Sequence, residues 1–97
     1  MSGRKGFRST EELKFNALIG DLICKARKRR GVMAKELAQA AGVSRSQMYW
    51  YEVGRDRCPV FVLDIFARRL GVPFTDFLPM YRYGGFSGDS EGETTEN

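Results

Sequence analysis

The apolar residues Phe15, Leu18, Ile19, Leu22, Ile23 and Ala26 recur at the spacing of a helix that buries one face. Upstream, Ser9 followed three residues later by Glu12 fits a capping box. Glu11 and Glu12 sit in the positively polarised first turn, so the helix is predicted to begin there. The basic run from Lys25 to Arg30 lies at its negative end, and Gly31 supplies the stop. A shorter helix is predicted over residues 34–41, burying Leu37, Ala38 and Ala41 and broken by Gly42. Ser44 is a good N-cap for a third helix reaching Glu52 or Val53, closed by Gly54 and a charged loop from Arg55 to Pro59. After Pro59 the positions Val62, Leu63, Phe66, Ala67 and Leu70 predict a fourth helix stopped by Gly71. Phe74, Phe77 and Leu78 suggest a last helical turn before Pro79. Period-two alternation occurs only at Tyr81-Arg82-Tyr83, which reads as a short extended arm. The fold class is therefore all-α, a compact bundle of four to five helices.

With 97 residues, 42% of them hydrophobic and 29% charged, the chain has the length and balance of one small globular domain. No run approaches the roughly 18 apolar residues of a membrane span. The basic start leads into no apolar stretch, so neither a secretory signal nor a membrane partner is expected, and the expected compartment is the cytoplasm. Residues 1–8 read as a flexible basic arm, residues 9–86 as the folded domain, and residues 87–97 as an acidic disordered tail without apolar residues. All 16 Lys and Arg but only eight of the 12 acids precede Ser87, so the net charge of +4 divides into a +8 body and a −4 tail. A body this basic favours a polyanionic partner, nucleic acid first and an acidic membrane surface second, and charge alone does not choose between them.

The chain holds no His and two Cys, with no spacing suited to zinc or to a disulfide framework. Cys24 reads as a core thiol and Cys58 as a loop thiol. Without imidazole, paired carboxylates or a glycine-rich phosphate loop, no enzymatic site, metal or cofactor is expected.

The informative feature is the helix, glycine-containing turn and helix from Ala34 to Val53. Such a pair presents one helix to a major groove about 12 Å wide. Placed at about 100° per residue, Met48 and Tyr51 of the third helix point into the core, whereas Arg45, Ser46, Tyr49, Trp50 and Val53 point outward. Arg forks guanine O6 and N7, Ser serves many base edges, and an aromatic ring covers a thymine methyl. Gln47 lies at the margin, within reach of a base or of the phosphate backbone.

Gly31, Leu37-Ala38, Gly42-Val43-Ser44-Arg45, Glu52, Gly54, Ala67 and Leu70-Gly71-Val72 carry a resemblance. Over about residues 18–78 the chain resembles the Cro and phage-repressor type (XRE-family) helix-turn-helix regulators, which implies a lambda-repressor-like DNA-binding domain. The resemblance implies that the third helix enters the major groove, with Arg45, Ser46 and Trp50 on base-reading positions and Arg55 and Arg57 on a phosphate-holding loop. It also implies an ion pair between Arg27 and Glu52 that orients the first and third helices. The family usually opens its second helix with Ser or Thr and then Gln, where this chain has Met33 and Ala34. Lys28 or Lys35 then stands in as a phosphate contact, with Ser44 beside them at the turn. Tyr49-Trp50-Tyr51 also departs from the smaller or more polar residues usual in the family.

The expected function is a sequence-specific regulator of transcription, in the manner of a repressor that occupies an operator on double-stranded DNA as a homodimer. The apolar and aromatic set Phe74, Phe77, Leu78, Tyr81, Tyr83 and Phe86 either closes the core or forms the dimer surface, within residues 74–86. The alternative is a protein-interaction module or an antitoxin, in which Tyr49 and Trp50 grip a protein partner such as a toxin.

Overall fold

The computed structural model describes residues 9–83, and the basic arm, Phe86 and the acidic tail fall outside them. The elements in chain order are α1 (Thr10–Arg29), α2 (Ala34–Ala41), α3 (Arg45–Val53), α4 (Val60–Leu70), a 3-10 turn (Phe74–Phe77) and the single-turn α5 (Pro79–Arg82). No strand occurs among the described residues. α1 packs on α3, α2 bridges α3 and α4, and the 3-10 turn and α5 fold back against α1.

Local chemistry accounts for the boundaries. Ser9 Oγ accepts the Glu12 N–H at 3.0 Å and opens α1. The Glu12 carboxylate meanwhile lies 3.7 Å from the Arg57 guanidinium. α2 ends at Gly42, whose φ of 71° is left-handed; the Val43 N–H reaches the Ala38 carbonyl at 3.0 Å, closing the end that a side chain with a Cβ would strain. Met33 contributes no side-chain cap to α2, but the Glu36 carboxylate accepts the Met33 N–H at 2.9 Å. One half of a capping box thus survives without Ser or Thr.

The core is centred on Ile23, Leu37, Met48, Phe66 and Phe77, with the Tyr51 ring edge-on to Phe66 at 6.4 Å. Several sequence expectations need correction, Ala41 among them, which is half-buried against the core and not sealed in it. Phe15 and Leu18 are exposed, at 36% and 41%; the buried face of α1 is Asn16, Ile19, Gly20, Leu22, Ile23 and Ala26. The reason lies at the crossing with α3, which requires a position without a side chain and therefore turns Gly20 inward. Tyr81-Arg82-Tyr83 is not an extended arm, because Pro79 at the first helical position opens α5 and the Leu78 carbonyl accepts the Tyr81 and Arg82 N–H groups at 2.9 and 3.0 Å. Phe77 is wholly buried and Phe74 packs against the core, so these two close the monomer; Tyr81 and Tyr83 remain exposed and Leu78 half-buried.

The two thiols exchange their expected places: Cys58 is buried although it lies in a loop, and Cys24 on α1 is only half-buried. Burial pushes the Cys58 thiol from its ordinary 9.0 up to about 12. The folded chain thus holds this proton more tightly than the unfolded one. Folding stability should be intact below the ordinary thiol range and fall as pH rises from about 9 towards about 12. At neutral pH a thiol reagent should modify Cys24 first and reach Cys58 only as fast as the fold opens; equal rates would show that Cys58 is not sealed.

Candidate nucleic-acid interface

α3 starts at the turn formed by Gly42, Val43 and Ser44, where Ser44 Oγ accepts the Gln47 N–H at 2.9 Å. Its inner side is anchored by Met48 and Tyr51, at 1% and 6% exposure. Arg45, Ser46, Tyr49 and Val53 are exposed and span about 100° of the helix surface. This face carries one guanidinium, one hydroxyl and one phenol. Trp50 lies at its margin and is half-buried, because the Arg55 guanidinium carbon sits over its ring at 4.7 Å from the centroid.

Two further contacts fasten the following loop to α3. The Arg55 and Asp56 N–H groups both donate to the Trp50 carbonyl, at 2.9 and 3.2 Å. Gln47 Nε2 donates to the Asp56 carboxylate at 2.9 Å. Nothing in the sequence pattern marked Asp56 as the partner of Gln47, since the bond joins residues nine apart across a helix end. Gln47 is thereby half-buried and tied to the loop at the flank of the exposed face.

The expected partners Arg27 and Glu52 meet across α1 and α3. Arg27 Nε and Nη2 donate to the two carboxylate oxygens at 2.7 and 3.1 Å, and Nη1 donates to the Val32 carbonyl at 3.2 Å. Hydrogen bonding to Glu52 raises the Arg27 pKa above its ordinary value. A two-point fork leaves little rotational freedom, so it fixes how far α3 turns on α1.

The basic run from Lys25 to Arg30 divides by role. Lys25 pairs with Asp21 at 2.9 Å. Arg30 donates through Nε to the Leu70 carbonyl and through Nη2 to the Gly71 carbonyl, at 2.9 and 3.0 Å, so it caps the far end of α4. Sequence reasoning missed this cap, because its acceptors are backbone groups some forty residues away. Lys28 and Lys35 are exposed, as is Ser44, whose hydroxyl is engaged in the α3 cap. Arg57 is exposed and pairs only loosely with Glu12. Val60 and Phe61, at 68% and 73% exposure, form an apolar step at the start of α4 that the pattern reading passed over.

The model of the helix-turn-helix domain family matches residues 18–77. The chain belongs to that family. Its structural likeness extends to an HTH_3 family transcriptional regulator from Vibrio cholerae, with a TM-score of 0.61 and 27% identity over 68% of this chain. The chain spans only 37% of that regulator's length. The clp gene regulator ClgR from C. glutamicum superposes with a TM-score of 0.64 at 24% identity, over 78% of this chain and 96% of its own. No curated protein matches the chain. The family match and the HTH_3 regulator accord with the resemblance to Cro and phage-repressor type regulators, and ClgR shares the fold. No helix among the described residues of this helix-turn-helix protein is long and apolar enough to cross a membrane.

Proposed function

We propose that this helix-turn-helix protein is a sequence-specific DNA-binding regulator of transcription, acting as a repressor by operator occupancy. The observation that carries the reading is the outward face of α3: Arg45, Ser46 and Tyr49 stand exposed on a helix whose opposite side is locked into the core. Arg45 and Ser46 read base edges, Tyr49 and Trp50 supply apolar contact, and Gln47 contacts the groove margin. Lys28, Lys35, Ser44, Arg55 and Arg57 neutralise or bond phosphates. Phosphate contacts supply most of the affinity and α3 supplies the preference among sequences.

A homodimer presents two copies of α3 about 34 Å apart, one helical turn of DNA. Tyr81 and Tyr83, exposed beside the closed core, are its candidate surface. The exposed Tyr49 and the apolar, exposed Met33 at the start of α2 support a second reading, a module that binds a protein partner such as a toxin.

Selection of duplexes from a random pool tests the choice. A regulator enriches a palindrome whose binding weakens steeply with salt; a protein adaptor enriches nothing. Arg45→Ala should cost about 1–3 kcal/mol and relax preference at one position of each half-site. Arg57→Ala should weaken binding evenly across sequences and lower the salt slope by about one unit. An unchanged base profile for Arg45→Ala removes the proposed orientation of α3.

A further inference from the structure

The loop after α3 is held against the helix at several points around Trp50. Its departure is wedged, since a Cβ at Gly54 would stand 2.6 Å from the Ala17 Cα of α1. Its first two N–H groups bond the Trp50 carbonyl, and its carboxylate holds Gln47. In this setting the Arg55 guanidinium lies over the Trp50 ring at 4.7 Å. A cation over an aromatic face is attracted by the ring quadrupole, and a planar guanidinium also covers that face from contact. An indole covered in this way has one face withdrawn from stacking on a base. With that face covered, the rim is the part of the ring best suited to a groove, a largely apolar edge of the shape that packs on a thymine methyl.

Building on the DNA-binding reading above, we propose that Arg55 is a specificity-determining positioning residue. It pins the Trp50 indole so that the rim of the ring meets the 5-methyl group of one thymine in each half-site. Its charge adds to the general attraction for phosphate, but the planar cover is what sets a base preference. Lys at this position keeps the charge and loses the plane, so the two contributions separate in one substitution.

The test compares wild type and Arg55→Lys on the duplex that wild type selects. Replacing the contacted thymine by uracil removes only the methyl group and should weaken wild-type binding about fourfold. For Arg55→Lys that ratio should fall to about one, with the salt slope and the preference set by Arg45 retained. Trp50 is the chain's single tryptophan, so its fluorescence reports the cover without DNA. Quenching by the neutral quencher acrylamide should rise in folded Arg55→Lys. A retained fourfold ratio, or unchanged quenching, overturns the proposal. So does Arg55→Ala that lowers the salt slope by about one with its base profile intact, which marks a phosphate anchor alone. If wild type selects no duplex, the DNA-binding reading falls and takes this inference with it; a selected duplex with an unaltered Arg55→Lys profile defeats this inference alone.

Discussion

Gly20→Ala should destabilise the protein by about 2–4 kcal/mol, although the same change in an open helix interior stabilises by about 1 kcal/mol. The reversal comes from what the new methyl meets. A Cβ on Gly20 falls against the carbonyl oxygens of Tyr51 and Glu52 and stands 2.7 Å from the Glu52 carbonyl carbon. These are backbone atoms of α3, so no rotamer change relieves the contact. α1 and α3 must move apart, which loosens Tyr51 in the core and strains the fork between Arg27 and Glu52. A domain of this size holds only about 5–10 kcal/mol in total. The melting temperature should drop by roughly 15 °C, read by thermal denaturation. A variant as stable as wild type would mean that the two helices do not cross this closely.

Glu52→Ala carries the other large effect, an expected loss of about 3–5 kcal/mol. The side chains of Arg27 and Glu52 are only 13% and 11% exposed, so solvent screens little of what is left behind. Without the carboxylate, the Arg27 guanidinium keeps the Val32 carbonyl and a weak contact to Cys24 Sγ as acceptors, while its charge stays in a poorly hydrated place. The signature is non-additive. Arg27→Ala combined with Glu52→Ala should cost clearly less than the sum of the single changes, because the double variant buries no lone charge. Denaturant melts of the four proteins give the coupling directly; strictly additive losses would reduce the pair to two independent packing contacts. Because the fork between Arg27 on α1 and Glu52 on α3 fixes how far α3 turns, Glu52→Ala should blur the base profile as well as lower the apparent affinity with the population unfolded.

Much of the candidate interface was legible along the chain because it depends on short-range rules. The third helix is bounded by Ser44 and Gly54, and a wheel at about 100° per residue separates Met48 and Tyr51 from Arg45, Ser46 and Tyr49. Trp50 shows where that rule stops. The wheel sets it outward, but the loop beyond Gly54 returns over it, and a periodicity has no information about a neighbour that arrives after the helix has ended. Gln47 is the same case, since its amide is taken by an acid from outside the helix.

The sequence by itself determined the number and limits of the main helices, since caps, glycine stops and apolar spacing act within a few residues. It also determined the family, through glycines and apolar positions whose joint spacing is specific, and the division of charge between body and tail. Only the tertiary structure decided which way α1 turns, with Gly20 inward and Phe15 and Leu18 outward, because that choice is set by how near the backbone of α3 approaches. It alone assigned Phe77 to the core, sealed Cys58, and gave Arg30 to the end of α4. Each of these depends on groups distant in sequence that meet only once the helices have packed, and pairwise proximity of that kind leaves no periodic trace in the chain.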